Sequence, residues 1–376
     1  MKTAGIVAEF DPLHNGHRYL FEQARAKGAE AVAVVMSGSA VQRGRLAVWD
    51  KYSRARAAVR AGADIVFELP APLSCSNAEV FSRSGVALLA ALGDGAVDML
   101  VFGSETEDLS LVLTASRAVT ELKDSAAIRE RLALGMSYPA ALSAAVGELC
   151  GPEAMAAVSG PNSILAAEYC RALEELAPWC EPALVHRTEQ EGIRSATSLR
   201  EMLSKGEDIS PFVPEVLPDP CLPEALDKVL LYSVYSADKD TLLTLPDCDE
   251  ALADRFLKAA RSRPRTAEEL LSLVKSKNYT HARLRRTLLH LALGVRREDI
   301  KPPAYLRPLA FNEIGAKLLA ESRPALPLST SLSKLCKDDP TAARFAQLED
   351  RASVLRALGT KSGTVPNDFT ESIKLQ

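Results

Sequence analysis

The stretch "TAGIVAEFDPLHNGHRYLFEQARAKG" (residues 3–28) contains the strand, turn and helix from which the fold of this chain can be predicted. Its first eight residues form an apolar run without polar alternation, which is typical of a strand covered on both faces. The polar turn "DPLHNGH" (11–17) follows, and a helical pattern then runs to the glycine at the end. A strand, a tight turn and a helix in this order indicate the first unit of an α/β fold.

Four more apolar, β-branched runs follow in the first half of the chain, with helical patterns between them. Because strands and helices alternate, the sequence predicts βαβ units, a Rossmann-like parallel sheet and right-handed crossovers. In such a sheet, ligands bind beyond the carboxyl ends of the strands. The predicted strands are "AEAVAVVMSG" (29–38), "ADIVFELP" (63–70), "VDMLVFGSE" (97–105) and "EPALVHR" (181–187).

The character of the chain changes near Gly206, where a proline-rich stretch begins. We therefore predict an α/β domain over residues 1–205, a linker over 206–224 and a mainly α-helical domain over 225–376. The linker contains five prolines between Pro211 and Pro223, and the patterns beyond it are mostly helical. Only the last dozen residues have the composition of a disordered tail.

Composition places the chain among ordinary globular proteins, since 376 residues with 47% hydrophobic content can bury a sizeable core. No apolar run approaches the roughly 18 residues that a membrane helix needs, and no signal peptide is recognisable, so we expect no membrane partner and a cytoplasmic location. Seven scattered cysteines without a C-x-x-C pair suggest neither a zinc site nor a disulfide framework, and we expect reduced, mostly buried thiols.

Charge is distributed unevenly along the chain. The net charge is −4, yet residues 255–310 hold 14 Lys and Arg and only four acidic residues. A solvated helix face explains most charge runs of this size, but a strongly basic segment in an acidic protein favours an RNA-binding surface, with tyrosines that could stack on bases. The candidates are Lys275, Lys277, Tyr279, Arg283, Arg285 and Arg286, and further along Arg296, Arg297, Lys301, Tyr305 and Arg307.

His14, Gly16 and His17 lie where the first helix begins. Backbone N–H groups and the helix dipole favour an anion at that position. Glycine allows the backbone to approach a ligand closely, and imidazoles three residues apart can face the same phosphate, where they would stabilise charge developing during attack at phosphorus. Zinc ligation or chance would explain an isolated H-x-x-H, but a preceding buried strand favours the phosphate site.

Other strand ends carry weaker candidates for the same ligand. Ser37, with Arg43 after it, follows the second predicted strand, and Gly103 with Ser104 ends a later one. The segment "SATSLR" (195–200) offers Ser198 and Arg200, which can hold a β- or γ-phosphate through an N–H group and a guanidinium. Each of these is also compatible with an ordinary turn or helix cap.

Taken together, these motifs resemble the H-x-G-H type of nucleotidyltransferase and, more narrowly, the bacterial tRNA(Met) cytidine acetate ligase family. The resemblance implies a nucleotidyltransferase fold, activation of acetate by ATP and acetylation of N4 of the wobble cytidine in elongator tRNA(Met). It rests on "GIVAEFDPLHNGH", "VVMSGSAVQRG", "AVWDKYSRARAAVRAGADIVFELP", "VFGSE", "GPNSILAAEY" and "PPAYLRPLAFNEIGAKLL".

The resemblance also implies which residues bind ATP, with His14 and His17 as the catalytic pair on the phosphates. Mg²⁺ would enter with ATP, and no protein ligand for it is assigned. The family usually has asparagine where this chain has Asp11, which adds a negative charge near the expected phosphates. The implied ATP site comprises Val7, Ala8, Glu9, Phe10, Asp11, Pro12, Leu13, His14, Asn15, Gly16, His17, Arg18, Tyr19, Leu20, Gly103, Asn162 and Arg187.

Two alternatives stay open at this point. An adenylyltransferase acting on a small phosphorylated acceptor would share the histidines and the serine-rich segment, but it would not need a basic helical domain. A non-catalytic RNA-binding protein would need the basic domain, but it would not need both histidines and Gly16.

Overall fold

The computed structural model describes residues 1–186, 192–371 and 373 of the chain. The described strands are β1 (Thr3–Ala8), β2 (Ala31–Ser37), β3 (Ala40–Val41), β4 (Arg45–Leu46), β5 (Ile65–Leu69), β6 (Met99–Ser104), β7 (Glu181–His186) and β8 (Pro308–Phe311). The described α-helices are α1 (Asn15–Ala26), α2 (Lys51–Arg60), α3 (Ala78–Ala90), α4 (Leu109–Leu122), α5 (Ala126–Ala133), α6 (Tyr138–Cys150), α7 (Pro152–Ala156), α8 (Pro161–Leu176), α9 (Ala196–Ser204), α10 (Asp227–Ser236), α11 (Lys239–Thr244), α12 (Glu250–Arg261), α13 (Ala267–Val274), α14 (His281–Leu293), α15 (Glu313–Glu321), α16 (Leu332–Leu335) and α17 (Pro340–Leu358).

One six-stranded sheet organises the molecule, in the order β7-β6-β1-β2-β5-β8. The first five of these strands run parallel to one another, and β8 runs antiparallel to β5 at the edge. The five parallel strands are those predicted from the apolar runs, so the predicted α/β fold is confirmed. Strands β3 and β4 form a separate short hairpin beyond the end of β2.

Helices cover both faces of the sheet, which is why its strands lack polar alternation. All seven residues of β2 are buried, and they alternate between two apolar clusters. Ala33 and Val35 belong to the cluster with α3 and α8, whereas Val32, Val34 and Met36 belong to the cluster with α1, α2 and α9. Alternate side chains of a strand point to opposite faces, so one apolar run supplies both cores.

Strand β8 lies in a segment for which a helical domain was predicted. It is four residues long, begins with Pro308 and occupies the sheet edge, where a proline is tolerated. Such a strand has little local signature. Around it the chain returns to the α/β core, because Tyr305, Leu318 and Phe345 join the apolar cluster of α3 and α8.

The proline-rich stretch 206–224 is packed against the molecule along its length. Ile209, Val213 and Leu217 are buried in the cluster that contains α1 and α2, and the Cys221 N–H donates to the Val48 carbonyl at 2.7 Å. The proline-rich stretch therefore packs against the surface of the α/β core, whereas the sequence predicts a linker between two domains. As a division into folding units, the boundaries at residues 205 and 224 stay a prediction.

Two further groups of helices have small cores of their own. Helices α4 to α7 enclose residues such as Val119, Ile128 and Val146, and helices α10 to α14 enclose residues such as Leu252 and Phe256. Among the described helices none combines the length and apolarity needed to cross a lipid bilayer.

Candidate active site

A cavity of about 400 Å³ opens at the carboxyl ends of β1 and β6, between the turn after β1 and the first residues of α8 and α9. This is the position at which a parallel α/β sheet binds its ligand. Most residues implied by the family resemblance line it: Val7, Ala8, Glu9, Phe10, Asp11, His14, Gly16, His17, Tyr19, Leu20, Gly103 and Asn162.

His14 and His17 begin helix α1 as a reciprocal cap. The Gly16 N–H donates to His14 Nδ1 at 3.0 Å, and the His14 N–H donates to His17 Nδ1 at 3.2 Å. Because both Nδ1 atoms accept hydrogen bonds, the neutral rings carry their hydrogens on Nε2. The rings lie 3.9 Å apart between centroids and both line the cavity. The arrangement therefore presents two N–H donors suited to one anionic ligand.

Two neighbours of the histidines have constrained backbones or tight contacts. A Cβ on Gly16 would lie 2.8 Å from His14 Cε1, so glycine is needed for the ring to fold back over the helix start. Phe10 has φ of +49°, in the left-handed region that non-glycine residues seldom adopt. Its buried ring packs edge-on against His17 with centroids 4.9 Å apart, which fixes the orientation of that imidazole.

Asp11, where the family resemblance leads us to expect asparagine, is paired within the protein. Its Oδ1 accepts the Val48 N–H at 2.8 Å, and its Oδ2 lies 3.3 Å from Nη1 of Arg200. Arg200 also donates to the Asp11 carbonyl and to Thr197 Oγ1. Arg200 lines the cavity, as the phosphate-site prediction requires. Its guanidinium also neutralises the Asp11 carboxylate.

Glu9 follows β1 directly, and its half-buried side chain also lines the cavity. Its Oε1 accepts the Gln42 N–H at 2.6 Å. Burial raises the pKa of the Glu9 carboxyl above its ordinary value, and the neighbouring Asp11 adds to that rise.

Arg54, which was not predicted as a functional residue from the sequence, connects several loops behind the cavity. This fully buried guanidinium donates to the carbonyls of Glu9 at 2.6 Å, Ser37 at 3.1 Å and Trp49 at 3.0 Å, and also to that of Gly38. Burial lowers its pKa to about 10. Arg54 thus holds the carboxyl ends of β1 and β2 together. The sequence signal for its burial is the helical spacing that puts Arg54 on the same face of α2 as Ala57 and Ala58.

Gly103 and Asn162 meet at the β6 side of the cavity, although 59 residues of sequence separate them. The Asn162 amide donates to Glu105 Oε1 at 2.7 Å, and the Ser163 hydroxyl donates to Oε2 at 2.6 Å. Burial raises the pKa of Glu105, but these hydrogen bonds outweigh it and hold the pKa below its usual value. Glu105 and Tyr169 both line the cavity, and neither was predicted as a site residue from the sequence.

Other predicted ligands lie away from the cavity or outside the described residues. Ser37 is completely buried, and the Ser198 N–H is taken by the capping hydroxyl of Ser195 at 3.2 Å; neither lines the cavity. Asn15 donates instead to the carbonyls of Gly192 and Pro211. Pro12, Leu13 and the exposed Arg18 are likewise not among the lining residues, and Arg187 lies outside the described residues.

Most of the predicted RNA-binding cations are committed to contacts within the helical region. Arg283 pairs with Asp249 at 2.9 Å, Arg285 pairs with Glu268 at 3.2 Å, and Lys275 Nζ donates to the carbonyls of Ser276 and Tyr279. Their charges stabilise turns and helix starts, a role that a sequence pattern does not distinguish from a binding face.

Tyr279 and Arg286 are buried, so neither is available in the role predicted for it. The Tyr279 hydroxyl donates to Asp249 at 2.8 Å, and its ring is therefore not a stacking surface for bases. Arg286 donates to the Gln42 carbonyl at 3.4 Å and lies 3.7 Å from Asp247. Of the six candidates from residues 275–286, Lys277 is classed as exposed in the described structure.

Tyr305 and Arg307 are also buried, in a cluster of charges around Lys51. Lys51 Nζ lies 2.5 Å from Glu68, 2.5 Å from Asp368 and 3.1 Å from Glu349. These carboxylates are close enough to hold a metal, and no other such group was found among the described residues, but the lysine ammonium occupies their centre. The cluster is therefore a structural ion network and not a magnesium site.

Comparisons with known proteins agree over nearly the whole chain. A family model described as HIGH Nucleotidyl Transferase matches residues 1–368. A tRNA(Met) cytidine acetate ligase of Syntrophomonas wolfei is 34% identical over 85% of this chain and 84% of its own. The protein of the same name from Syntrophotalea carbinolica is 33% identical over 89% of this chain and 86% of its own.

Solved structures give the same result. TmcAL of Thermotoga maritima bound with alpha-thio ATP is similar with a TM-score of 0.87 and 28% sequence identity, over 96% of this chain and 95% of that chain. The apo form of the same protein gives a TM-score of 0.89 with 27% identity, over the full length of both chains.

Proposed function

We propose that this chain, which belongs to the HIGH nucleotidyl transferase family and within it to the tRNA(Met) cytidine acetate ligases, activates acetate with ATP and acetylates a cytidine of tRNA(Met). Its membership, predicted from six motifs between residues 5 and 319, is confirmed by the matches over 85% or more of the chain. The observation that carries the proposal is the placement of His14 and His17 together in the cavity at the carboxyl end of β1, with both Nδ1 atoms fixed by backbone N–H groups.

In the first step, an acetate oxygen attacks the α-phosphorus of ATP. A bond forms between that oxygen and phosphorus, the bond to the β-phosphate oxygen breaks, and pyrophosphate leaves. The Nε2–H groups of His14 and His17 donate to phosphate oxygens on which charge accumulates, so catalysis consists of positioning and electrostatic stabilisation. The product in the cavity is acetyl-adenylate.

In the second step, N4 of the cytidine attacks the acetyl carbonyl. The new carbon–nitrogen bond replaces the bond to the AMP oxygen, AMP leaves and the amine loses a proton. Elongator tRNA(Met) and its wobble position are the substrate and site implied by the family. ATP would extend from Gly103 and Asn162 on the β6 side toward the histidines.

Magnesium fits this site as a companion of ATP. Mg²⁺ keeps several waters and is commonly held by substrate phosphates and one or two carboxylates. Glu9 and Glu105 line the cavity without an ion pair to Arg200. Both Glu105 oxygens accept from Asn162 and Ser163, so Glu9 would be the carboxylate nearest in kind to a ligand. When bound, the ion would supply charge neutralisation for the phosphates.

The first prediction concerns the two histidines, and its assay is acetate-dependent exchange of labelled pyrophosphate into ATP in the absence of tRNA. His17→Ala removes one donor and should lower the exchange rate by about 10²–10³-fold, since a lost oxyanion donor typically has that effect. His14→Ser should have a similar effect, and serine still caps the helix, so α1 stays formed. The matched control is His281→Ala, which replaces an exposed histidine and should catalyse pyrophosphate exchange at the wild-type rate.

The second part of this test is mass spectrometry of tRNA nucleosides after a complete reaction. N4-acetylcytidine that depends on both acetate and ATP would support the ligase. Exchange with small phosphorylated acceptors but not with acetate would indicate an adenylyltransferase instead. A wild-type protein that binds tRNA and catalyses neither reaction would contradict the proposal.

A further inference from the structure

The hairpin of β3 and β4 contributes to the cavity from the side opposite to Gly103 and Asn162. Strands β6 and β2 flank β1 on its two sides, and the hairpin follows directly after β2. Gln42 and Arg43, at its tip, line the same cavity as the histidines. Because the proposed function places ATP on the β6 side, the hairpin side is the part of the cavity that remains for the acceptor.

Two cations of this hairpin differ from those of the basic stretch. Arg43 is exposed and Arg45 is half-exposed, and within the described part of the chain no carboxylate lies at ion-pair distance from either guanidinium. The arginines at 283, 285 and 286 each have an acidic partner. Unpaired guanidinium groups beside a ligand cavity are suited to bidentate contacts with phosphate oxygens.

Positive charge is concentrated around Arg45. Burial, and after it the neighbouring cations Arg200, Arg285 and Arg43, lower the pKa of its guanidinium to about 10 against the attraction of Asp11. Several like charges held together are unfavourable in the free protein, and a polyanion would relieve that repulsion. Arg45 is not among the residues that line the cavity, so the positive surface extends beyond the space for one nucleotide.

Helix α14 holds the hairpin in place. Gly44 has φ of +75°, and a Cβ there would collide with the backbone at Arg285 and Arg286. The Gln42 carbonyl accepts from Arg286 on the same helix at 3.4 Å. The hairpin is therefore fixed between the α/β core and the helical region, and its arginines are positioned before any ligand arrives.

From these observations we propose that the β3–β4 hairpin is the RNA-contact element of the protein, with Arg43 and Arg45 binding phosphates of the RNA strand beside the cytidine. This inference rests on the proposed function for the identity of the acceptor. The triphosphate of ATP is the other source of phosphate oxygens for Arg43 and Arg45. The position of Arg45 outside the cavity favours the RNA backbone.

The test is direct binding of a bacterial tRNA mixture to the full chain, by fluorescence anisotropy over a series of salt concentrations. Arg43→Ala/Arg45→Ala should raise the dissociation constant at least tenfold. It should also reduce the slope of log K against log salt by about 1.4, as expected for two phosphate contacts at about 0.7 each in a single strand. Arg43→Lys/Arg45→Lys should be intermediate, because it keeps the charge and loses the fork geometry. The matched control is Arg117→Ala/Arg129→Ala, two exposed arginines on α4 and α5.

Two results would overturn the inference: a tRNA dissociation constant within twofold of wild type, or a loss confined to the dissociation constant for ATP. The second would assign the arginines to the triphosphate. Acetate-dependent exchange by the wild-type protein is measured separately and without tRNA. Absent exchange with hairpin-dependent tRNA binding would therefore reject the ligase and keep the RNA surface.

Discussion

At the scale of single residues, His14, His17 and Asp11 of the turn after β1 each make hydrogen bonds within the protein and also line the cavity. The Nδ1 atoms of His14 and His17 accept backbone N–H groups that the start of a helix leaves unpaired, so the hydrogen of each neutral ring is on Nε2, and both residues line the cavity. Asp11 is treated in the same way, since Val48 and Arg200 satisfy its two oxygens. Departure from the usual residue of the family is thus compensated within this chain.

The Asp11–Arg200 pair leads to a prediction on stability. Asp11→Asn keeps an acceptor for the Val48 N–H and should lower the free energy of unfolding by about 1 kcal/mol. Arg200→Ala leaves a carboxylate that is almost fully buried without its cation and should cost about 3 kcal/mol. The double variant should be more stable than Arg200→Ala, as urea unfolding would report. A cost of the double variant equal to the sum of the two single costs would show that the pair is not coupled.

At the scale of elements, helix α14 joins the helical region to the α/β core. Its buried residues include Arg286, which contacts the β3–β4 hairpin, and His290, whose Nε2 donates to the Cys75 carbonyl at 2.6 Å. A neutral imidazole is required for this geometry, because His290 Nδ1 is buried and has no hydrogen-bond partner among the described residues. The basic helix predicted as an RNA surface is therefore mainly a packing element.

His290 leads to a prediction on pH dependence. Burial, together with Arg286, lowers its pKa to about 4 against the opposing effects of the Cys75 carbonyl and Asp247. The unfolded chain binds a proton near pH 6.5 and the folded chain only near pH 4, so stability is lost as pH falls through that window. The loss attributable to this group should reach about 3 kcal/mol at pH 4.

Urea unfolding between pH 4 and 7 tests this prediction. His290→Gln should show a shallower loss of stability over the window, whereas the exposed control His281→Gln should follow the wild type. Parallel curves for wild type and His290→Gln would mean that the imidazole does not titrate as the buried geometry requires.

At the scale of the whole molecule, the C-terminal segment closes the α/β core. Strand β8 adds to the sheet, α17 supplies Glu349, and Asp368 inserts its carboxylate beside Lys51, where Tyr52 also donates to it at 2.8 Å. Burial raises the pKa of Asp368, but attraction to Lys51 and the hydrogen bonds it accepts leave the pKa below its usual value. A segment of disordered composition is thus anchored at Asp368, which contacts Lys51, the hydroxyls of Tyr52 and Ser353, and Arg307 through its carbonyl.

This ionic cluster leads to the last prediction. Lys51→Met leaves three buried carboxylates facing one another and should cost about 3–5 kcal/mol of unfolding free energy. Asp368→Asn removes one carboxylate and leaves Lys51 and Arg307 opposite Glu68 and Glu349, so it should cost clearly less. Thermal and urea unfolding of the two variants compare them directly. A larger loss for Asp368→Asn than for Lys51→Met would contradict this account of the cluster.

The sequence by itself determined the parallel sheet, the helix starts and the position of the histidine turn. These features follow from local patterns: continuous apolar runs, helix-capping residues and the glycine between His14 and His17. Only the tertiary structure decided the edge strand β8, the role of Arg54, the partner of Asp11 and the burial of Tyr279, Arg286 and Arg307. Each of these depends on pairing or burial against residues that are distant in sequence. A charged side chain has the same local signature whether it faces solvent, an RNA phosphate or a buried carboxylate.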